Sequence, residues 1–230
     1  MKTIANLIKT KIPNYAYFAS CAFEVPYNHL WNDQKYISWS KSKGCDFIRL
    51  KNQYSVLPLN RTMIINLFNQ GNYYDGFLCA MIWGNIGANP KGKQIFQYVF
   101  DISNRNTILA KIQIVIQLLQ KNDLPKAYNA LYNGNAKIKW IGESFFTKLL
   151  YFAGANISKV NPQPLIFDSN MHTIYYKIMG VLNKPIQSNA TNRYIDYCEK
   201  MEDLSKLLNL PTAGHIEAFL FCPGIRAYLF

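Results

Sequence analysis

The stretch of sequence that decides the fold spans residues 137–154 and reads KIKWIGESFFTKLLYFAG. Gly142 permits a tight turn, and apolar side chains recur at helical spacing in the residues that follow it. A helix that begins there leaves the backbone amides of Glu143, Ser144 and Phe145 without helical partners. Free amides and the helix dipole attract anions such as a phosphate. The stretch therefore predicts a turn, a helix and an anion site at the start of that helix.

The residues around this turn and helix supply candidate reactive groups. Lys137 and Lys139 lie just before the turn, where their charges would flank a bound phosphate. Lys148 lies on the helix, away from the phenylalanines and leucines that can supply a core. Downstream, residues 164–172 read PLIFDSNMH, an apolar extended run that ends at Asp168, 20 residues after Lys148. Each group also has a structural interpretation, since such a lysine is commonly solvated and such an aspartate commonly caps the next helix.

The rest of the chain is patterned for helices. Asn60 is placed as an N-cap, and period-2 alternation is nearly absent, so we predict an all-α fold. The first sixty residues are interpreted as irregular apart from one short helix, because prolines punctuate them. The predicted helices cover residues 4–11, 61–70, 73–83, 107–121, 125–133, 144–153, 171–179, 192–208 and 212–229.

Charge and hydropathy limit the partners. The 230 residues carry 25 Lys and Arg against 13 Asp and Glu, a net charge of +12, which favours a polyanion such as nucleic acid. The longest uncharged apolar stretch, residues 76–90, is interrupted by glycines and asparagines and falls short of the roughly 20 residues of a membrane span. Lys9 and Lys11 interrupt any apolar leader. We expect a cytoplasmic protein with no membrane partner.

The cysteines and histidines do not suggest a metal. Five widely spaced cysteines, without a Cys-x-x-Cys pair, are typical of reduced thiols. Three scattered histidines add no ligand cluster. We expect neither a structural zinc nor an iron–sulfur cluster, because both need clustered soft ligands.

One glycine-rich segment has a competing interpretation. Residues 87–93, GANPKGK, match the Gly-x-x-x-x-Gly-Lys phosphate loop, and Asp168 at the end of an apolar run could serve as its acidic partner. Gln94 stands where a magnesium-binding Ser or Thr is usual. The alternating strands and helices of a nucleotide-binding sheet are also lacking. A phosphate-loop NTPase remains the less favoured alternative.

Residues 137–177, about a fifth of the chain, resemble the helix-hairpin-helix DNA glycosylases, and most closely the bacterial proteins with the 8-oxoguanine glycosylase fold. That family has a lysine in the helix after the hairpin and then an apolar segment that ends in an aspartate. Here Gly142 stands alone where the family hairpin usually has Gly-x-Gly, and Asp168-Ser-Asn170 replaces its Asp-x-His.

The resemblance implies roles for seven residues and a two-lobed enzyme. Lys148 would be the amine nucleophile and Asp168 the catalytic carboxylate. DNA would be bound by the hairpin and its surroundings: Lys137, Lys139, Gly142, Ser144 and Asn170. Residues 1–230 would form one domain, with one lobe from 1–99 plus 169–230, a second lobe from 100–168 that carries the hairpin, and the active site in the cleft between them.

The implied activity is the excision of a modified base from double-stranded DNA. The chain would act as a monomer without metal or organic cofactor, and a lysine Schiff base would give it abasic-site lyase activity. The resemblance leaves two substrates open: 8-oxoguanine, in repair, and a bulky phage-type base such as glucosylated hydroxymethylcytosine, in antiviral defence. Trp31, Trp39, Trp83 and Trp140 are candidates for the base pocket. A helix-hairpin-helix DNA-binding protein that has lost catalysis is the non-enzymatic alternative.

Overall fold

The computed structural model describes residues 1–42, 44–155, 157 and 160–229. Within these ranges the chain forms fourteen α-helices and no strand, apart from one isolated antiparallel bridge between Cys45 and Asp101, so the all-α prediction is confirmed. The helices are α1 (Lys2–Lys11), α2 (Tyr15–Glu24), α3 (Gln34–Trp39), α4 (Phe47–Tyr54), α5 (Arg61–Asn69), α6 (Tyr73–Trp83), α7 (Gly92–Val99), α8 (Arg105–Gln120), α9 (Leu124–Tyr132), α10 (Glu143–Gly154), α11 (Ser169–Val181), α12 (Ala190–Leu208), α13 (Ala213–Phe221) and α14 (Pro223–Leu229).

The expectation of an irregular first sixty residues is wrong, because α2, α3 and α4 all lie there. The prolines in this region mark helix boundaries and do not interrupt helices: Pro13 precedes α2, Pro26 follows it, and Pro58 precedes α5. Proline has no backbone N–H to donate and disrupts the interior of a helix, so it is placed more easily between helices than within them. Helix α7 was also not anticipated, and the predicted helix over 212–229 divides at Cys222 into α13 and α14.

Elsewhere the helical pattern gives nearly the observed boundaries. The side chain of Asn60 accepts a hydrogen bond from the amide of Met63 at 2.9 Å and so caps α5 as expected. Helix α6 has the predicted limits, and α8 begins two residues earlier than predicted. These helices bury apolar stripes in a hydrophobic core to which most helices contribute. None of the described helices is both long and apolar enough to cross a bilayer.

Helix α9 and helix α10 are joined by residues 133–142, which contain the predicted turn. Within this connection, the amide of Ile141 donates to the carbonyl oxygen of Ile138 at 3.2 Å and closes a four-residue turn. Both isoleucines are buried, whereas Lys139 and Trp140 at the tip of the turn are exposed. Gly142 then caps α10 in an extended conformation. The two buried isoleucines thus fix the direction in which the tip of the turn projects.

Helix α10 is buried on all sides from Phe145 to Gly154. The sequence suggested an amphipathic helix with Lys148 and Tyr151 on its polar side, but both side chains are buried here as well. Neighbouring helices cover the helix: α8 and α9 on one side, and α5 and α6 on another. The lysine is therefore held inside the protein, and the solvated interpretation of Lys148 does not hold.

Candidate active site

A cavity of about 180 Å³, open to solvent, lies where α2, α5, α6, α10 and α13 meet the start of α11. Its wall combines apolar side chains with an unusual number of charged groups for a largely buried site. The charged and aromatic residues that matter below are Arg61, Trp83, Lys148, Asp168 and Glu217. Two of these, Lys148 and Asp168, are the predicted reactive residues.

Lys148 lies in the second turn of α10 with only 5% of its surface exposed. Its ammonium donates to the carbonyl oxygen of Ser144 at 2.7 Å and lies 5.1 Å from the centre of the Phe145 ring. Its alkyl stem packs against Gly84, where a Cβ would clash with Lys148 Cδ and Cε. Burial lowers the pKa of Lys148, because an ammonium loses hydration there. A lowered pKa increases the fraction of neutral amine, the form that can act as a nucleophile.

Asp168 ends the extended segment and caps α11. Its Oδ1 accepts hydrogen bonds from the amides of Asn170 at 3.0 Å and Met171 at 3.1 Å. The structural interpretation of Asp168 as an N-cap is therefore correct, and the same side chain also lines the cavity. The cap fixes the carboxylate while leaving it in contact with the cavity.

Lys148 and Asp168 therefore line one cavity without forming an ion pair with each other. The carboxylates of Asp168 and Glu217 oppose the burial effect and raise the pKa of Lys148, and the cation of Arg61 lowers it further. The amine thus responds to three charged neighbours across the cavity. Among the described residues, no carboxylate contacts the amine directly and holds it in the protonated state.

Threonine and tyrosine hydroxyls fix the segment that carries Asp168. Thr147, the neighbour of Lys148 in α10, accepts a hydrogen bond from the amide of Phe167 at 3.0 Å and donates to the carbonyl oxygen of Glu143 at 2.8 Å. From α12, Tyr194 binds both backbone groups of Leu165, and Tyr197 donates to the carbonyl oxygen of Ile166 at 2.9 Å. Thr147 therefore couples the position of Asp168 to the helix that carries Lys148.

The cavity wall also contains a buried ion pair between Arg61 and Glu217, with 2.7 Å between Nη1 and Oε2. The guanidinium also lies 5.0 Å from the ring centres of both Trp83 and Tyr151. Burial raises the pKa of Glu217, and the contact with Arg61 opposes that rise. Such a pair is stable only if both charges are well contacted, because each has lost its hydration.

Two polar atoms on the cavity wall are buried without a hydrogen-bond partner in the described part of the chain. They are the second carboxylate oxygen of Glu217, Oε1, and the indole Nε1 of Trp83. Buried polar groups are nearly always hydrogen-bonded, so these two are exceptions beside the cavity, although neither atom is exposed to a ligand in it. Of the four tryptophans proposed for the pocket, only Trp83 lines this cavity.

The sequence did not single out Arg61, Glu217 or Gly84. Arg61 is the first residue after a helix cap and Glu217 lies in an apolar helix, positions that carry no motif. The one signal was the isolated charge of Glu217 within AGHIEAFLF, because an acid in so apolar a helix needs a buried partner. The partner itself lies 156 residues earlier in the chain and could not be identified from spacing.

The proposed DNA-binding residues lie around the start of α10 and α11. Lys137, Lys139 and Gly142 are exposed, and Ser144 and Asn170 are half-buried. The amide of Phe145 donates to the carbonyl oxygen of Gly142 at 3.0 Å, so it does not join the predicted anion site. The amides of Glu143 and Ser144 have no acceptor among the described residues, and a Cβ at Gly142 would meet nothing within 4 Å.

The carboxylate of Glu143 is bound by side chains of two other helices. It is held by the hydroxyl of Tyr128 and by Nε2 of His172, the latter at 3.1 Å. Burial acts to raise the pKa of Glu143, but these hydrogen bonds outweigh it and the pKa is lowered. These two side chains therefore stabilise the negative charge of Glu143 within the protein.

The glycine-rich segment 87–93 does not form a phosphate loop. Its backbone amides donate hydrogen bonds within the protein. The amide of Gly92 donates to the carbonyl oxygen of Asn89 at 2.8 Å, and the amide of Gly87 donates to the hydroxyl of Tyr36 at 2.9 Å. Gly92 is buried against the carbonyl group of Ile86. No strand precedes the segment within the described ranges. The NTPase interpretation therefore has no support.

The family model described as "Putative 8-oxoguanine DNA glycosylase OGG-like protein" matches residues 30–221. The chain belongs to this family, and the family places it among DNA glycosylases that bind DNA. The match extends well beyond the stretch that carried the resemblance and includes every residue of the cavity wall discussed above. Searches of curated proteins and of solved structures returned no significant match.

Proposed function

We propose that this protein excises a modified base from duplex DNA and cleaves the resulting abasic site through a Schiff base on Lys148. The observation that carries the proposal is the buried amine of Lys148 beside the carboxylate of Asp168 in one open cavity. An enzyme that acts on a base in a duplex has to extrude the nucleotide into such a pocket, at a cost of a few kcal/mol of unstacking.

Asp168 would act first on the charge that develops on the sugar. As the N-glycosidic bond breaks, positive charge accumulates at C1′, and a fixed carboxylate stabilises it. The hydrogen bonds that Asp168 accepts from two backbone amides hold its carboxylate in place, so the carboxylate need not reorganise during the reaction. The leaving base takes the electron pair of the broken bond and a proton.

Lys148 would then supply the nucleophile. Its neutral amine forms a bond to C1′, loses a proton, and expels the ring oxygen to give an iminium. Loss of a C2′ proton breaks the C3′–O bond and cuts the strand, and water hydrolyses the iminium to free the enzyme. These steps require an amine that is neutral at working pH, which agrees with the burial that lowers the pKa of Lys148.

The DNA backbone would be held at the start of α10. The open space at Gly142 and the free amides of Glu143 and Ser144 suit a phosphate. Lys137 and Lys139 lie just before these amides in the chain, and Asn170 lies in the first turn of α11. The two-lobed arrangement, 1–99 plus 169–230 against 100–168, is part of the same proposal.

Borohydride trapping tests the role of Lys148. Wild-type protein should become covalently linked to DNA that contains the correct modified base, because borohydride reduces the iminium. Lys148→Gln should give no linked product but keep most duplex affinity, since it removes one of 25 positive residues. Lys184→Gln makes the same change of charge at an exposed site outside the cavity and should trap like wild type.

Two outcomes would contradict this mechanism. Full trapping by Lys148→Gln would mean that another amine is the nucleophile. Excision without trapping in the wild type would indicate an enzyme in which Asp168 activates water. Duplexes with 8-oxoguanine and DNA with glucosylated hydroxymethylcytosine, tested side by side, decide between repair and antiviral defence, and binding without excision of either indicates a non-catalytic DNA-binding protein.

A further inference from the structure

We infer that Trp140, with Lys91 and Lys139, forms a stacking platform for an unstacked nucleotide of bound DNA. The inference rests on the proposed action on duplex DNA and adds a contact outside the cavity. It also gives a role to the segment 87–93, which is not a phosphate loop.

The backbone at Trp140 is in a conformation that tryptophan rarely adopts. Its φ is +70°, in the left-handed region, at the third position of the turn closed by Ile138 and Ile141. Glycine or asparagine is usual at such a position, because a Cβ is strained there. Strain of this kind persists only when the surrounding structure imposes it, and it concentrates at functional sites. The buried isoleucines on both sides provide that constraint.

The strained turn presents the indole outward between two cations. Trp140 is 46% exposed, and the ammonium groups of Lys139 and Lys91 lie 5.4 Å and 5.9 Å from the centre of its ring. Lys139 also lies 6.0 Å from the ring centre of Tyr98. Neither lysine forms an ion pair with a described residue. An aromatic face beside unpaired cations is the chemistry that binds a base and its flanking phosphates.

Further lysines surround the turn. Lys111 donates to the carbonyl oxygen of Lys137, and the ammonium of Lys137 reaches the side chain of Asn133 at 3.4 Å. The ammonium groups of Lys91 and Lys139 therefore lie beside the exposed indole, and those of Lys111 and Lys137 contact residues 133–137, which lead into its turn. This charge is complementary to a nucleic-acid backbone and would oppose the binding of a basic partner.

The platform lies close enough to the cavity to contact the same DNA site. Gly84 and Asn85 line the cavity, and the segment they begin reaches Lys91 seven residues beyond Gly84. On the other side, Trp140 is eight residues before Lys148. Five helical steps of 1.5 Å and three extended steps of about 3.5 Å limit the separation of their Cα atoms to about 18 Å. With a rise of about 3.4 Å per base pair, the platform falls within about five base pairs of the extruded nucleotide.

When a base is extruded, the neighbouring bases lose a stacking partner. An exposed indole can stack on one of them in its place. The test therefore compares an intact duplex with a duplex that carries a stable tetrahydrofuran abasic analogue, which no step of the reaction can consume. Trp140→Ala should weaken binding of the abasic duplex by about five- to hundredfold, the range for one base–aromatic stack, and that of the intact duplex much less. Trp140→Phe should retain most of the affinity.

Two further variants separate binding from folding. Trp140→Gly relieves the backbone strain and should unfold at or above the wild-type temperature, yet bind the abasic duplex as weakly as Trp140→Ala. Tyr228→Ala is the matched control, because Tyr228 is an exposed aromatic residue with Lys11 5.6 Å from its ring centre, on the terminal helices. It should bind like wild type.

The outcomes distinguish this inference from the proposed function. Equal binding of the abasic duplex by wild type and Trp140→Ala overturns the platform even if the wild type excises and is trapped. Equal losses on both duplexes overturn the stacking role and assign Trp140 to general backbone contact. A selective loss without any trapping by the wild type supports the platform and contradicts the mechanism assigned to Lys148.

Discussion

Two pairs of charged residues line the cavity, each a cation and a carboxylate, in different arrangements. Arg61 and Glu217 touch at 2.7 Å, both buried. Lys148 and Asp168 form no ion pair with each other, and each is held by backbone groups of its own element: the Ser144 carbonyl for the amine and two α11 amides for the carboxylate.

This difference separates a charge pair that holds the cavity together from one that can react. A cation in direct contact with a carboxylate is kept protonated, whereas a buried amine without such contact is shifted towards its neutral form. Arginine is also always charged, so it cannot serve as the nucleophile. The contrast predicts that substitutions in the two pairs change different properties, and four variants test it, from the largest expected effect to the smallest.

Glu217→Ala should cause the largest loss of stability. It leaves the guanidinium of Arg61 buried without its carboxylate, which costs about 3–5 kcal/mol in the free energy of unfolding. Denaturant unfolding measures this directly. The double variant Arg61→Met with Glu217→Leu should recover most of the loss, because no charge then remains unpaired. A loss below about 1 kcal/mol in Glu217→Ala would show that the two pairs do not differ as described.

Asp168→Asn should slow excision by about 10²- to 10³-fold, a loss typical of one fixed group that stabilises developing charge. Asparagine caps a helix about as well as aspartate, so the free energy of unfolding should change by less than about 0.5 kcal/mol. Single-turnover excision and denaturant unfolding are measured on the same preparation. A large loss of stability would mean that the carboxylate serves the fold and not the reaction.

Thr147→Val should cost about 1–3 kcal/mol of stability, because the buried amide of Phe167 loses its acceptor. It should also lower the excision rate, since the segment that carries Asp168 is no longer tied to α10. Thr147→Ser keeps the hydroxyl and is the matched control. If valine reduced stability but left excision per folded molecule unchanged, Thr147 would not position the reactive pair.

Lys148→Met should stabilise the protein by about 0.5–2 kcal/mol, as removal of a strained functional group often does. Burial lowers the pKa of Lys148 in the folded state, so the unfolded chain binds more protons between that pKa and the ordinary value of 10.5. The folded wild type therefore becomes relatively more stable as pH rises through this interval. The gain in the free energy of unfolding of Lys148→Met over wild type should be complete below the lowered pKa and disappear near pH 10.5. Denaturant unfolding at several pH values checks this.

Much of the fold was readable from the sequence where local signals agree. The Asn60 cap and the apolar spacing in α6 and α8 give boundaries close to those observed. Helix α2 was missed because its aromatic residues show no clean helical stripe, and its helical form depends on packing against α13, where Phe23 stacks on His215 at 4.2 Å. Tertiary contacts of that kind have no local signature.

The residues of the candidate site also differ in whether local sequence signals could identify them. Lys148 and Asp168 could be selected because a single local pattern contains both, and the match to a glycosylase family over residues 30–221 agrees with that pattern. The roles of these residues stay proposals. Arg61 and Glu217 could not be paired from the sequence, since nothing local links residues 156 positions apart. The exposure of Trp140 depends on a left-handed φ that no tryptophan-containing pattern predicts.

The hydrogen bonds between side-chain hydroxyls and the backbone of residues 165–167 have a consequence for motion in this protein. Non-helical chain usually exchanges its amide hydrogens quickly, because local fluctuations free them. Here the amides of Leu165 and Phe167 donate to Tyr194 and Thr147, on two different helices, so they exchange only when these hydrogen bonds open. The exchange rates of these two amides therefore report how often the segment that leads to Asp168 separates from α12 and α10.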